Sequence, residues 1–247
     1  MVKDKSVKKI LISAKGKKKY YVTQLNEDFI TTEGVVKSLD LSSEKEFIET
    51  DKGNKFHLIN PSIIDLMEKL NRGPQIIQPK DIGLIMSKTG INKNSLVVDA
   101  GVGSGTLSLA LANICKQVTA YEINNKHLNI AQKNKELFGA ENLEIKKGDV
   151  AEEMTETNLD LITLDLPHPW EVVPKAELAL KLGSYLVVYL PNILQMKKFV
   201  ESLKGSKIKL LEVIELIERK WKVEERIVRP ETAELSHTAF MAFCRKM

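Results

Sequence analysis

Apolar and polar positions follow two different patterns along this chain, and the pattern changes near residue 58. Before that point lie three short runs rich in β-branched and aromatic residues, KKILISA, KKYYVTQ and FITTEGVV. Lys, Gly, Asn and Asp separate these runs, which is typical of short strands joined by turns. We therefore expect a small β-rich N-terminal domain, a twisted sheet or barrel, over residues 1–58.

A helix is predicted to follow this domain. Asn60 can cap that helix, Pro61 suits its first position, and Arg72-Gly73-Pro74 ends it. We expect residues 59–74 to form a linker and residues 75–247 to form a second domain.

Strand and helix patterns alternate from residue 75 onward. Helices are predicted over 79–88, 106–115, 125–137, 172–182 and 196–203. Strands are predicted over 95–100, 117–122, 143–147, 159–165 and 184–190, with closing strands over 208–217 and 238–245. Such alternation predicts an α/β fold, a doubly wound and mostly parallel sheet with helices on both faces.

Composition narrows this picture only slightly. The chain has 247 residues and a formal net charge of +4, which allows a nucleic-acid partner without requiring one. Its two cysteines lie far apart in apolar surroundings, so free buried thiols and a reducing compartment are expected. The lysine-rich N-terminus precedes no long apolar run, so we expect a cytoplasmic protein without membrane contact.

The strongest local signal is a strand, a glycine loop and a helix in succession, beginning at Ser95. Its three glycines stand at alternate positions, Gly101, Gly103 and Gly105. This succession brings backbone N–H groups and a helix N-terminus to a small ligand. A dinucleotide fingerprint would need glycine where Thr106 stands.

The acid beside this loop bears on the identity of the ligand. Asp99, two residues before the first glycine, would repel a pyrophosphate but suits a ligand with cationic groups. S-adenosylmethionine carries a sulfonium and an ammonium group. The stretch DAGVGSG resembles the first motif of class I methyltransferases.

Four consecutive predicted strands end in an acid, at Asp99, Glu122, Asp149 and Asp165. Ligands of doubly wound sheets bind outside the carboxyl ends of the strands. Glu122 lies about twenty residues past the loop, where an acid accepts ribose hydroxyls. Asp149 is placed to accept from an adenine amino group, and Val150 offers a backbone N–H. Singly, each acid could be a helix cap or a solvated turn; together they predict a methyl-donor site.

The segment from Asp165 to Trp170, DLPHPW, indicates the acceptor side. Its two prolines stiffen the loop and would hold the Asp165 carboxylate beside the donor methyl group. Trp170 offers a flat face for a base or for the core. Contact with substrate is a candidate role for His168 and for Tyr189, and a phosphate contact is one for Arg229. The histidines show no metal-ligand spacing, so no metal is expected.

Four segments together resemble the tRNA (adenine-N1)-methyltransferases, which make 1-methyladenosine in the T-loop, at tRNA position 58 and in some archaeal members also 57. The segments are RGPQIIQPKD, the glycine loop, LDLPHPW and RIVRPETAELSHTAF. The resemblance covers about residues 72–246. It implies a class I methyltransferase (Rossmann-like) fold, S-adenosylmethionine as donor, tRNA as substrate and a homotetramer.

The same resemblance implies roles for individual residues. Asp165 would be the catalytic acid, and Gln75 would lie over the pocket. The donor site would be lined by Ile77, Asp99, Gly101, Gly103, Ser104, Gly105, Thr106, Glu122, His127, Asp149, Val150 and Asp165. The chain departs from the family at Pro74, Gln78, His127 and Ser236, where threonine, tyrosine, arginine and glycine are common.

Two other functions stay open at this point. A protein isoaspartate O-methyltransferase shares the glycine loop, but it needs neither a basic N-terminal domain nor the Asp165 loop. A non-catalytic tRNA-binding subunit of a methyltransferase complex should have lost the glycine loop and the strand-end acids, and this chain keeps both.

Overall fold

The computed structural model describes residues 6–14, 16, 18–71, 73, 76–232 and 237–247. The chain divides into two compact units, one of Met1–Asn71 with Gln132–Glu141 and one of Arg72–Ala131 with Asn142–Met247. Each unit is described separately.

The first unit is rich in β-structure, as the sequence predicts. Its elements are β1 (Lys9–Ser13), β2 (Lys19–Val22), β3 (Phe29–Thr31), β4 (Gly34–Val36), α1 (Ser38–Leu41), β5 (Phe47–Glu49), β6 (Lys55–Ile59) and α2 (Ile63–Lys69). An antiparallel sheet has the order β2-β1-β6-β5, and β3 pairs with β4. Leu11, Val22, Leu41 and Phe56 form its buried core.

The cap of helix α2 lies two residues after the predicted cap at Asn60. Ser62 is the cap: its hydroxyl accepts a hydrogen bond from the Asp65 N–H, and the Asp65 carboxylate accepts one from the Ser62 N–H. This reciprocal pair satisfies two N–H groups that a helix start otherwise leaves unpaired. The helix lies in the first unit, as do residues 132–141.

The second unit has alternating strands and helices around one sheet. Its strands are β7 (Leu96–Ala100), β8 (Gln117–Glu122), β9 (Leu143–Lys147), β10 (Leu159–Leu164), β11 (Leu180–Leu190), β12 (Ile208–Glu215), β13 (Trp221–Glu224), β14 (Ile227–Pro230) and β15 (Phe240–Lys246). Its helices are α3 (Pro79–Thr89), α4 (Thr106–Ala112), α5 (Asn125–Phe138, whose last residues belong to the first unit), α6 (Val150–Glu153), α7 (Val173–Ala179) and α8 (Ile193–Ser202).

The sheet has the order β12-β15-β11-β10-β7-β8-β9. The strands from β11 to β9 run parallel, and β15 is antiparallel to both of its neighbours. The predicted doubly wound α/β sheet is therefore confirmed. From β7 the chain first adds β8 and β9 on one side of the sheet and then β10 and β11 on the other. Such sheets bind ligands at this point of reversal.

Several element boundaries differ from the sequence prediction, most clearly between α7 and β11. The helix predicted over 172–182 ends at Ala179, and β11 begins at Leu180, which pairs with Leu159 of β10. Apolar residues at 178, 180 and 182 fit both a helix and a strand over so short a stretch. The short helix α6 was not predicted, and Asp149 caps it.

Buried apolar side chains from the sheet and its helices form the core of the second unit, with Val98, Ile162, Leu186 and Phe199 among the most buried. Cys115 and Cys244 are buried free thiols, and burial raises their pKa to about 11 and about 12. Among the described helices, none is both long and apolar enough to span a membrane.

Candidate functional site

Two adjoining cavities open at the carboxyl ends of β7, β8 and β10, within the second unit. The larger, of about 950 Å³, is lined by Ile76, Ile77, Asp99, Gly101, Val102, Gly103, Ser104, Thr106, Leu107, Glu122, Ile123, His127, Asp165, Leu166 and Pro167. The smaller, of about 590 Å³, has Asp149, Val150 and His168 in its wall. Both cavities share Gly101, Glu122, Ile123, Leu166 and Pro167. They therefore form a continuous candidate site.

Gly101 allows the ends of β7 and β10 to approach closely. The Asp165 N–H donates to the Ala100 carbonyl at 2.9 Å. Gly101 has φ +84°, and a Cβ there would lie 2.0 Å from the Asp165 carbonyl oxygen. Glycine is thus required both for the left-handed backbone and for the space. This contact places Asp165 beside the glycine loop.

Glu122 connects the end of β8 to the glycine loop. Its carboxylate accepts from the Gly103 N–H at 3.0 Å and from the Asn124 N–H at 2.8 Å. His127 Nδ1 lies 3.7 Å from the same carboxylate. An ionised carboxylate has about four acceptor sites, so Glu122 keeps capacity for ligand hydroxyls.

Asp99 differs from the strand-end acid that the sequence predicts. It lies inside β7, which continues to Ala100, and its side chain is buried. Its two carboxylate oxygens accept hydrogen bonds from the hydroxyls of Ser108 and Thr163. Burial raises the pKa of Asp99. Asp99 is therefore held in place by two hydroxyl donors inside the strand, and burial disfavours its ionised form.

Asp165 follows β10 directly and lines the larger cavity. Its carboxylate accepts no hydrogen bond from the side chains or backbone that the structure describes. Burial raises the pKa of Asp165 to about 7, and the Asp99 and Glu122 carboxylates raise it as well. The described lining of both cavities contains no lysine or arginine. Asp165 is thus an available acceptor in a region of uncompensated negative charge.

Asp149 and Val150 lie in the smaller cavity. Asp149 caps α6, and its carboxylate accepts from the Ala151 N–H at 2.8 Å. Val150 is buried at the first helical position, where an N–H has no carbonyl partner within the helix. Asp149 is therefore a helix cap, which the sequence leaves open as an alternative, and it also lines the candidate site.

Several predicted residues lie elsewhere. Gly105 caps α4 with φ +84° and does not line a cavity. Trp170 packs against the core, and Lys198 Nζ lies 3.8 Å from its ring centroid, so the structure favours the core alternative. Arg229 lies in the separate β13–β14 hairpin and donates to the Pro230 carbonyl.

Two further predictions concern positions near the acceptor side. His168 lines the smaller cavity, on the side of Asp149. Tyr189 is buried and lines neither cavity; its hydroxyl donates to Asp81 at 3.1 Å. The predicted roles of Gln75, and the departures at Pro74 and Ser236, lie outside the described residues. Gln78 caps α3.

Sequence reasoning missed two features of the site. Ile123 lines both cavities with its side chain 66% exposed, and an apolar residue immediately after a strand-end acid was the available signal. It also missed the buried Lys80–Asp81 pair, which hydrogen bonds to Tyr189 and Thr238. A charged pair at the start of an amphipathic helix reads as solvated, so no local pattern indicated this network.

Comparison with known proteins places this site in a family. The model of the family described as tRNA methyltransferase complex GCD14 subunit matches residues 56–239. The tRNA (adenine(57)-N(1)/adenine(58)-N(1))-methyltransferase of Methanocaldococcus jannaschii is 34% identical, over 96% of this chain and 94% of the relative.

Two crystal structures share the fold along nearly the whole chain. A tRNA (m1A58) methyltransferase from Aquifex aeolicus is 26% identical, with a TM-score of 0.74 over 98% of each chain. A structure described as a SAM-dependent O-methyltransferase from Thermotoga maritima is 27% identical, with a TM-score of 0.78 over 100% of this chain and 94% of that one.

The close approach at Gly101 predicts a difference between two glycine substitutions. Gly101→Ala and Gly205→Ala impose the same left-handed strain, since φ is +84° and +85°, but nothing lies within 4 Å of a Cβ at Gly205. We expect Gly205→Ala to lower the free energy of unfolding by about 1 kcal/mol and Gly101→Ala by about 3 kcal/mol or more. Denaturant unfolding measures both; equal losses would show that the strand ends tolerate separation.

The raised pKa of Asp165 predicts a pH-dependent stability difference. The pKa of Asp165 is about 7 in the folded state against 3.8 for the free group, so the free energy of unfolding falls as the pH rises from about 4 to about 7 and stays lower above pH 7. We expect Asp165→Asn to be about 1–2 kcal/mol more stable than the native chain at pH 8, less than the full shift because a buried amide also costs free energy. The gap should shrink toward pH 4. Thermal unfolding at a series of pH values measures it, and a gap independent of pH would contradict the assignment.

Proposed function

The chain belongs to the tRNA (adenine-N1)-methyltransferase family, and we propose that it transfers a methyl group from S-adenosylmethionine to N1 of adenine in the T-loop of tRNA, at position 58. The relative from Methanocaldococcus jannaschii is named for positions 57 and 58, so a second adenine is included in the proposal. One observation carries it: the Asp165 carboxylate, which accepts no hydrogen bond from the described residues, lines the same cavity as the glycine loop and Glu122.

The residues present fit a cationic adenosyl donor. Three carboxylates, Asp99, Glu122 and Asp165, line the larger cavity, with no lysine or arginine among the described lining residues. This charge favours a sulfonium and an ammonium group and disfavours a diphosphate.

Individual residues have distinct roles in donor binding under this proposal. When bound, S-adenosylmethionine supplies an electrophilic methyl group. Glu122 accepts hydrogen bonds from the ribose hydroxyls with its remaining lone pairs. Asp149 and the Val150 N–H contact the adenine edge in the smaller cavity, and Ile123 offers its exposed side chain to the ring. Ile77, Ser104, Thr106 and His127 complete the wall of the larger cavity.

Asp165 acts on the acceptor. The target adenine must leave its stack, at a cost of a few kcal/mol. The Asp165 carboxylate accepts a hydrogen bond from the N6 amino group, which orients the ring and directs N1 toward the donor. The same carboxylate stabilises the positive charge that develops on the adenine as the methyl group arrives. For this purpose Asp165 must be ionised.

The two alternative functions are not favoured by the comparisons. The Thermotoga maritima structure is described as an O-methyltransferase, but the Aquifex aeolicus structure and the Methanocaldococcus jannaschii relative are described as adenine-N1 enzymes. A non-catalytic tRNA-binding subunit would not need the glycine loop with Glu122 and Asp165 in one cavity. Both features are present here.

We propose cytoplasmic tRNA as the macromolecular partner. Five lysines of the first unit are paired with acidic side chains, so we assign them no phosphate contact. Those lysines are Lys18, Lys19, Lys37, Lys45 and Lys55. Arg229 makes only a backbone contact within the described residues and is the better candidate for a phosphate.

A second copy of the chain is the other proposed partner, and a tetramer is the state that the family resemblance implies. Strand β12 is an edge strand with exposed Leu210, Leu211 and Val213. In the hairpin, Val223 and Val228 face each other across the strands and are 71% and 65% exposed. Apolar surface of this kind marks an interface.

The proposed reaction predicts a separation of binding from turnover at Asp165. Asp165→Asn keeps the shape of the side chain but loses the charge, so we expect kcat to fall by about 10²-fold or more while the Kd of the donor changes by less than about tenfold. Methylation of tRNA transcripts with labelled donor, with mapping of the modified base, measures turnover; calorimetry measures Kd. Label on protein, on a hydroxyl or on N6 of adenine would overturn the proposal.

The proposed interface predicts a change of oligomeric state. We expect light scattering to give the native chain a mass that is a multiple of the single chain, and Val223→Glu with Val228→Glu to reduce it, because two charges would be buried without partners. Leu182→Glu is the matched control, since Leu182 is 79% exposed outside the hairpin. A native chain that is monomeric, or a control that dissociates equally, would contradict the proposal.

A further inference from the structure

We infer that Asp81, held by Lys80 and Thr238, is a positioning residue that fixes Tyr189 beside Asp165. This inference rests on the proposed function, because it concerns the acceptor side of the same site. Of the four residues Lys80, Asp81, Tyr189 and Thr238, the sequence analysis names only Tyr189 as a candidate site residue.

The sheet register places Tyr189 next to Asp165. Strands β10 and β11 run parallel, with Leu164 opposite Val188. Asp165 follows Leu164 directly and Tyr189 follows Val188, so continuing this register one residue past the end of β10 puts Asp165 opposite Tyr189, on the same face of the sheet. Asp165 is one of the groups that raise the pKa of Tyr189, after burial and the Asp81 carboxylate. Tyr189 is therefore the neighbour of Asp165 on this face of the sheet.

Asp81 determines where the Tyr189 hydroxyl points. Asp81 is fully buried at the start of α3, and its Oδ2 accepts from the Tyr189 hydroxyl at 3.1 Å and from Thr238 Oγ1 at 2.9 Å. Its Oδ1 accepts from Lys80 Nζ at 2.8 Å. A raised pKa keeps Tyr189 protonated, so the hydroxyl remains a donor to Asp81.

Lys80 completes the network. Its ammonium group has three N–H donors, and they reach Asp81, Thr238 Oγ1 at 2.8 Å and the Leu216 carbonyl at 2.6 Å. The network thus joins α3 and β11 to Thr238, which precedes β15, and to Leu216, which follows β12. Every donor of the ammonium group has an acceptor, so the network admits one arrangement of the Tyr189 side chain.

This arrangement assigns a positioning role rather than a catalytic one. Lys80, Asp81, Tyr189 and Thr238 do not line either cavity. Tyr189 directs its hydroxyl toward Asp81, and its ring, which lines neither cavity, forms a wall beside Asp165 away from the open space. If that wall moves, water reaches the side of Asp165 that faces away from the cavity, and the carboxylate loses its defined place.

Three variants and one control test the inference. Tyr189→Phe removes only the hydroxyl, and Asp81→Asn keeps the shape of the carboxylate. Thr238→Val removes the bridging hydroxyl, whereas Thr238→Ser retains it. We expect Tyr189→Phe, Asp81→Asn and Thr238→Val each to lower kcat about tenfold, with the donor Kd unchanged within about twofold, and Thr238→Ser to restore the native kcat.

Coupling distinguishes positioning from general loss of stability. Because Asp81 acts through Tyr189, the double variant of Asp81→Asn and Tyr189→Phe should be no slower than the slower single variant. Multiplied losses of kcat, a Thr238→Ser variant as slow as Thr238→Val, or a kcat loss explained by a weaker donor Kd would overturn the inference.

A second readout does not depend on turnover, so failure of the proposed function leaves the inference testable. Carboxyl-carbon NMR reports the pKa of Asp165 in the native chain and in the variants. Loosening the Tyr189 wall should hydrate Asp165 and lower its pKa by about one unit in Tyr189→Phe and in Thr238→Val, but not in Thr238→Ser. Asp99, Glu122 and His127, the other titratable groups lining this cavity, are unchanged in these variants. An unshifted pKa in every variant would refute the positioning role.

Discussion

Three carboxylates share one cavity without a lysine or arginine in its described lining, and this uncompensated negative charge is the constraint on which the rest of the site depends. Burial opposes the ionisation of Asp165 and raises its pKa, and the neighbouring Asp99 and Glu122 carboxylates raise it as well. The fold tolerates the charge because Asp99 accepts from two hydroxyls and Glu122 from two backbone N–H groups. A cationic ligand supplies the positive charge that the described lining lacks. Binding therefore relieves the repulsion between the carboxylates, and this relief contributes to the binding free energy.

The geometry that concentrates these acids is a property of the sheet. Parallel strands β7, β8 and β10 end at the same edge, so residues that are distant in sequence meet there. Gly101 then permits contact between the backbones of the two strand ends, and the Lys80–Asp81 network holds the Tyr189 hydroxyl. Asp165 is consequently held by backbone contacts, while its own carboxylate accepts no hydrogen bond from the described residues. Such preorganisation is what charge stabilisation in a reaction requires.

Much of this fold follows from local patterns, and much of the site does not. Periodicity located β8 and β9 at their observed bounds, and the glycine loop with its strand-end acids indicated the cavities. One pattern fits two structures at some positions: the apolar spacing around Leu180 fits both a helix and a strand, and Trp170 suits both a base contact and the core. The environment of Tyr189 depends on contacts 108 residues away at Asp81, and that of Asp81 on Thr238, 157 residues away. No window of sequence contains both partners, so pattern reasoning could name Tyr189 but could not find what holds it.

The two buried cysteines have a practical consequence. Thiol-reactive probes attack the thiolate, and at neutral pH both Cys115 and Cys244 are protonated and enclosed by apolar side chains. The native chain is therefore nearly silent toward maleimides as long as it stays folded. A single new thiol on the β13–β14 hairpin would accept a fluorophore or spin label at one defined place, without removal of either natural cysteine. Reaction at the natural pair would in turn report unfolding of the sheet that encloses them.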